Sequence, residues 1–155
     1  MNKILNNLQK IKQNIDLSRT TIIAVTKYVG IEEIIEAFNA GITNFAENKL
    51  QDAEKKRLAL PENIEKQITW HFIGHPQTNK VKKIVGNFEY IHAVDSLKLA
   101  KLISKEAQSK NIKQKILIQV NMSHEKSKFG FEVEEIKEVF SEIINLDSLN
   151  VAGLM

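Results

Sequence analysis

The 155-residue chain has no cysteine. That excludes a disulfide framework, a thiolate metal site and a cysteine nucleophile, and it makes the cytoplasm the default compartment. No stretch approaches membrane-spanning length. Residues 1–15, MNKILNNLQKIKQNI, carry basic residues but neither a continuous apolar core nor a small-residue cleavage site, so no membrane or export segment is expected. A glycine-rich phosphate loop is missing as well: Lys27-Tyr28-Val29-Gly30, after the first apolar run, has neither G-x-G-x-x-G nor a Walker lysine. Charge of one sign is not gathered into blocks. The formal net charge of +3 comes from lysines spread over predicted helices, which argues for solubility and against a nucleic-acid partner.

What is present is enough for a packed core. With 43% hydrophobic and 26% charged residues, the chain reads as one soluble globular domain spanning 1–155. It is organised around residues 21–28, TIIAVTKY. Ile22, Ile23, Ala24 and Val25 are apolar without alternation, the pattern of a parallel strand covered on both faces. Lys27 breaks the run. A lysine at the mouth of a buried strand is partly desolvated, which favours the free amine and its attack on a carbonyl, the chemistry of a Schiff base. The plainer reading is that Lys27 marks the strand end and points into solvent, as most lysines do.

Along the chain, apolar residues at helical spacing predict an amphipathic helix over residues 2–16 and a second over 31–40 that ends at Gly41. A strand follows at 42–46, closed by Glu47-Asn48, and a helix at 49–60 stops before Pro61. Residues 67–73, QITWHFI, form the third strand, and Gly74-His75-Pro76-Gln77-Thr78-Asn79 lead into a helix at 80–85. Residues 90–94 are the fourth strand; Asp95 or Ser96 caps a helix over 97–109. Residues 115–120 form a fifth strand that ends in a long polar loop to Gly130, then come a helix at 133–144 and a strand at 149–155.

A helix after each strand is the signature of βα units and a parallel sheet with right-handed crossovers. Both an open doubly wound sheet and a (β/α) barrel satisfy it. The missing phosphate loop and the clustering of Lys27, Asn48, residues 75–79 and residues 121–128 after strands favour the barrel, whose sites collect at that face. About six of eight βα units fit in the chain, so the expected fold is an α/β, TIM-type barrel that is C-terminally incomplete.

Six segments then resemble one family in order and spacing: AVTKY (24–28), NFAEN (44–48), WHFIGHPQTNK (70–80), HAVDSLKLA (92–100), LIQVNMSHEKSKFG (117–130) and VAGLM (151–155). The chain is similar to the pyridoxal phosphate homeostasis proteins, which resemble the barrel domain of alanine racemase. The resemblance implies a barrel that binds pyridoxal 5′-phosphate (PLP), with Lys27 as the Schiff-base lysine, and a role in intracellular PLP (vitamin B6) homeostasis without robust turnover. It implies that Asn48, from the family's Gly-Glu-Asn motif, lies near the cofactor and that Lys128 handles PLP outside the main pocket. Ala46 stands here in place of the motif's glycine and Pro76 in place of a usual leucine. PLP-dependent apoenzymes are the implied recipients, and a complete chain is expected to be a monomer. The family continues for two more strands, whose following segments hold the PLP phosphate and face the pyridine nitrogen; by that measure this chain is truncated.

His75, in its loop, is a further cofactor-binding candidate, whereas His71, between Trp70 and Phe72, reads as a packed, hydrogen-bonded core histidine. Asn79 and Lys80 open a helix whose N–H groups could take an anion, and capping explains them equally well. His92 and His124 have no partner at metal-ligand spacing, so no metal site is expected. Two other functions stay open. A PLP-dependent racemase needs a second acid–base group, which racemases of this fold take as a tyrosine from another domain, and Tyr28 and Tyr90 are the only tyrosines. A cofactor-free fragment without independent activity is the other.

Overall fold

The computed structural model describes residues 3–123, 125 and 129–155. They fall into two compact units, Met1–Trp70 and His71–Met155. The first contains α1 (Lys3–Lys12), β1 (Ile23–Val25), α2 (Ile31–Asn39), β2 (Asn44–Glu47), α3 (Leu50–Ala59) and α4 (Glu62–Glu65), and it ends inside β3 (Thr69–Phe72). Strands β1 and β2 are parallel, with Ile23 opposite Asn44 and Val25 opposite Ala46. The Thr69 N–H then donates to the Thr43 carbonyl at 2.8 Å, which starts β3 beside the approach to β2.

Helix α2 follows from its stripe. Ile34 and Ala37 are buried, and the glutamates of its first turn complement the positive end of the helix. It stops at Gly41, whose φ of +95° lies in the left-handed region that glycine enters without strain. There the N–H groups of Gly41 and Ile42 reach back to the carbonyls of Phe38 and Ala37 at 2.8 and 3.1 Å, satisfying the helix end. Phe45 of β2 is fully buried and meets Trp70 with ring centroids 6.2 Å apart. Burial of side chains of this size contributes about 1.5–3 kcal/mol each, which favours bringing β2 and the start of β3 together.

The second unit holds the rest of β3, a 3₁₀ turn (Thr78–Lys80), α5 (Val81–Ile84), β4 (Tyr90–Val94), α6 (Leu97–Ser109), β5 (Gln114–Ile118), α7 (Val133–Ile144) and β6 (Leu149–Leu154). The β3–β4, β4–β5 and β5–β6 pairs are all parallel. Leu99, Ala100, Ile103 and Ala107 form the buried stripe of α6, and the Ser96 hydroxyl caps it by accepting from the Leu99 N–H at 3.3 Å. That resolves the choice between Asp95 and Ser96. Gln114, 3% exposed, fixes the start of β5: its amide donates to the carbonyls of Phe88 and Glu89, and its oxygen accepts from the Gly86 N–H.

Within each unit every strand pairs with the next one in the chain. A doubly wound sheet reverses its strand order at a switch point, whereas sequential neighbours throughout are the order of a (β/α) barrel. Several sequence expectations need correction. Strand β1 covers three of the four residues of the apolar run, and it is not covered on both faces: Val25 is 52% exposed and Ile23 and Ala24 are half-buried. An unbroken apolar run reports a preference for burial, and what lies across the strand decides whether it is met. The helix expected at 80–85 is a 3₁₀ turn joined to the single α-helical turn α5. Between Pro61 and β3, where no element is expected from the sequence, lies the short α4.

Candidate functional site

In the first unit the candidate residues stand at the carboxyl ends of β1 and β2. The register pairs Val25 with Ala46, so two residues further on Lys27 and Asn48 lie level on neighbouring strand ends. Lys27 is exposed and Asn48 half-buried. Lys27 is therefore not desolvated as the apolar run suggested; its Nζ stands 5.1 Å from the centre of the Tyr28 ring, itself 88% exposed. Ala46 sits in the interior of β2 without the positive φ that would demand glycine, so the Gly-to-Ala departure leaves the strand end intact.

The support beneath Lys27 was not foreseen. Glu47, the middle residue of the Glu-Asn pair, is completely buried. Its Oε1 accepts from the Thr26 hydroxyl and from Lys56 Nζ, both at 2.6 Å, and Lys56 is itself only 13% exposed. Lys56 Nζ also donates to the Thr26 carbonyl at 2.6 Å. Glu47 Oε2 is buried without a hydrogen-bond partner among the described residues. A signal for this network did exist. Leu50 and Ala53 are the buried positions of α3, and the next step of three along that stripe is Lys56, a charge placed where an apolar residue belongs.

The second unit carries the histidines. His75, exposed in the loop after β3, directs Nδ1 to Asp95 Oδ2 at 2.9 Å and lies on the Phe129 ring, centroids 4.5 Å apart. His71 is 3% exposed, stacks on Tyr90 at 4.7 Å and meets His92, Nδ1 to Nε2, at 2.9 Å. The packed, hydrogen-bonded reading of His71 holds, while His92 acquires a histidine partner that linear spacing concealed. Burial, reinforced by His92 and partly opposed by Glu89, pushes His71 down to about 4. Burial lowers His92 as well.

Asn79 is exposed within the 3₁₀ turn, where the Lys80 N–H is already taken by the Gln77 carbonyl at 2.8 Å. The loop after β5 is tied at its base: Asn121 N–H donates to the Phe131 carbonyl at 2.9 Å, and Phe131 N–H to the Gln119 carbonyl at 2.8 Å. Beside it opens a hollow of about 550 Å³ lined by Gln119, Asn121, Met122, Ser123, Phe129 and Met155. Lys128 and His124 lie outside the described residues. The structure thus brings Lys27 and Asn48 together in the first unit and places His75 and Asn79 in the second.

Comparison with known proteins follows this geometry. Residues 1–155 match the family described as alanine racemase, N-terminal domain. The pyridoxal phosphate homeostasis protein of Aquifex aeolicus is 36% identical over 157 residues, covering all of this chain and 68% of that protein. Its counterpart in Synechocystis sp. is 39% identical over 134 residues, covering 86% of this chain and 61% of its own length. Among solved structures, PipY of Synechococcus elongatus PCC7942 with PLP bound superposes with a TM-score of 0.85 at 29% identity, over 99% of this chain and 69% of PipY. Alanine racemase of Clostridium difficile 630 gives 0.79 at 17% identity, over 99% of this chain and 40% of the enzyme, a likeness of fold alone. The fold is that of the alanine racemase (β/α) barrel, with about six of its eight βα units present.

Proposed function

This chain belongs to the alanine racemase N-terminal domain family, and on that premise we propose that it binds PLP on Lys27 and serves intracellular PLP (vitamin B6) homeostasis as a carrier. The observation that carries the reading is the exposed Lys27 amine at the carboxyl end of β1, level with Asn48 on β2. Barrel sites form at that end of the strands, and the amine is open to an incoming carbonyl, so the residues present fit the group. PLP, when bound, supplies an aldehyde that condenses with a primary amine, with loss of water, and a ring that withdraws electrons. Lys27 provides the amine. Asn48 offers its side-chain amide beside it, and His75, Asn79 and Lys128 are the remaining candidates for contact with the cofactor.

The carrier reading rests on the relatives named pyridoxal phosphate homeostasis protein and on PipY with PLP bound. It makes PLP-dependent apoenzymes the recipients and the cytoplasm the compartment. Among the described residues no helix is long and apolar enough to cross a membrane. The test is direct. The protein is incubated with PLP, fixed with borohydride and mapped by peptide mass, and the adduct is expected on Lys27. An adduct on Lys128 with Lys27 unmodified overturns the assignment, and turnover of amino acids by the loaded protein overturns the carrier in favour of an enzyme.

A further inference from the structure

A buried ion pair is weak evidence of stability by itself, because desolvating two charges offsets their attraction and apolar replacements often serve as well. The pair between Glu47 and Lys56 has a third contact, and that contact is on the backbone next to Lys27. All the polar groups of Thr26 are engaged: its N–H donates to the Ala46 carbonyl at 3.0 Å, its hydroxyl donates to Glu47, and its carbonyl accepts from Lys56. The same carbonyl accepts from the Val29 N–H at 3.1 Å, closing a turn over residues 26–29.

Peptide units are planar, so fixing the Thr26 carbonyl also fixes the N–H and the Cα direction of Lys27. Side chains alternate across a strand end. With Thr26 drawn into the buried network, Lys27 is delivered to the opposite, open side, as their contrasting exposure shows. We propose that Lys56 is a positioning residue. Its ammonium, held by Glu47, clamps the Thr26 carbonyl and so sets the turn that presents the Lys27 amine to an aldehyde. This inference rests on the PLP reading for its ligand but not for its geometry.

The test uses the whole chain with Lys56→Met, which keeps the stem and removes the charge, Lys56→Arg, which restores a donor, and Glu47→Gln, which keeps the side chain's shape and removes the charge that holds the Lys56 ammonium. Amide exchange at Val29 reads the turn, and exchange at Ile34 and Ile103 reports global opening. PLP titration with borohydride fixation, repeated across pH, reads the presentation of Lys27. In Lys56→Met we expect Val29 exchange to quicken tenfold or more relative to Ile34 and Ile103, and half-maximal labelling of Lys27 to need at least threefold more PLP. Lys56→Arg should recover most of both. Unchanged Val29 exchange, or unchanged labelling of Lys27, overturns the clamp. If Lys56→Met does not fold, Glu47→Gln decides by the same two readings in the same direction. A native chain that PLP fails to label at Lys27 overturns the PLP reading instead; Val29 exchange and methylation of Lys27 by ¹³C-formaldehyde and borohydride then judge the clamp.

Discussion

His71 and His92 hold their imidazoles 2.9 Å apart across neighbouring parallel strands, the first ring sandwiched against Tyr90. One nitrogen of the contact must donate and the other accept, so the pair is satisfied when both rings are neutral and loses its bond when both are charged. The lowered proton affinity of both rings states the same preference.

A pH dependence follows from the sign of that shift. In the unfolded chain histidine titrates near 6.5, and in the folded protein His71 does so at about 4. Between these values the unfolded state binds more protons, so folding stability is complete above the unfolded value and is lost as pH falls toward the folded one. The full effect is on the order of 3 kcal/mol for His71. Thermal unfolding measured from pH 7.5 to 4 is expected to fall through that window, and His71→Gln is expected to flatten the fall. An equal slope in both proteins would remove His71 as its source.

Lys27→Ala should abolish the borohydride-fixed PLP adduct and leave unfolding almost unchanged. The side chain is exposed, so its loss opens no cavity, and such substitutions stay within about 0.5 kcal/mol. Mass spectrometry and a thermal melt on the same sample check both halves.

Lys56→Met alone should destabilise by about 3–5 kcal/mol, because it strands a fully buried carboxylate. The double variant Glu47→Leu with Lys56→Met should regain most of that loss. Chemical denaturation of the two singles and the double gives the coupling, and additive losses would mean that the pair is not a unit.

Gly130→Ala should destabilise the loop after β5. The residue has φ +130°, and an added Cβ would stand 2.7 Å from the Asn121 backbone nitrogen. Holding such a conformation with a side chain takes about 1–3 kcal/mol, visible as a lowered denaturation midpoint and faster amide exchange at Asn121 and Phe131.

Helices α6 and α7 and strand β4 have the boundaries that the sequence suggests, because their ends are marked locally: a serine cap before Leu97, an apolar stripe of helical period, a run of β-formers between turns. The four residues of α4 are too few to show a period. The placement of Lys27 and Asn48 at neighbouring strand ends was legible from strand order. Their support was not, since Thr26, Glu47 and Lys56 come from a turn, a strand end and a helix, and only folding makes them neighbours. His71 and His92 illustrate the same limit. They are 21 residues apart in sequence and in contact through strand register. Exposure of Val25 was misjudged because an apolar run carries no record of what faces it, whereas the exposed Lys27 matches the plainer reading of a lysine that marks the strand end.

The sequential pairing of β3, β4, β5 and β6 bears on how this unit is made. Each new strand needs only the one synthesised just before it, and the connecting helix shortens the loop that must close. A chain leaving the ribosome can therefore add one βα unit at a time to an existing edge, without waiting for a distant partner. That edge moves along the sheet as synthesis proceeds, so the edge open to the next unit is always that of the newest strand.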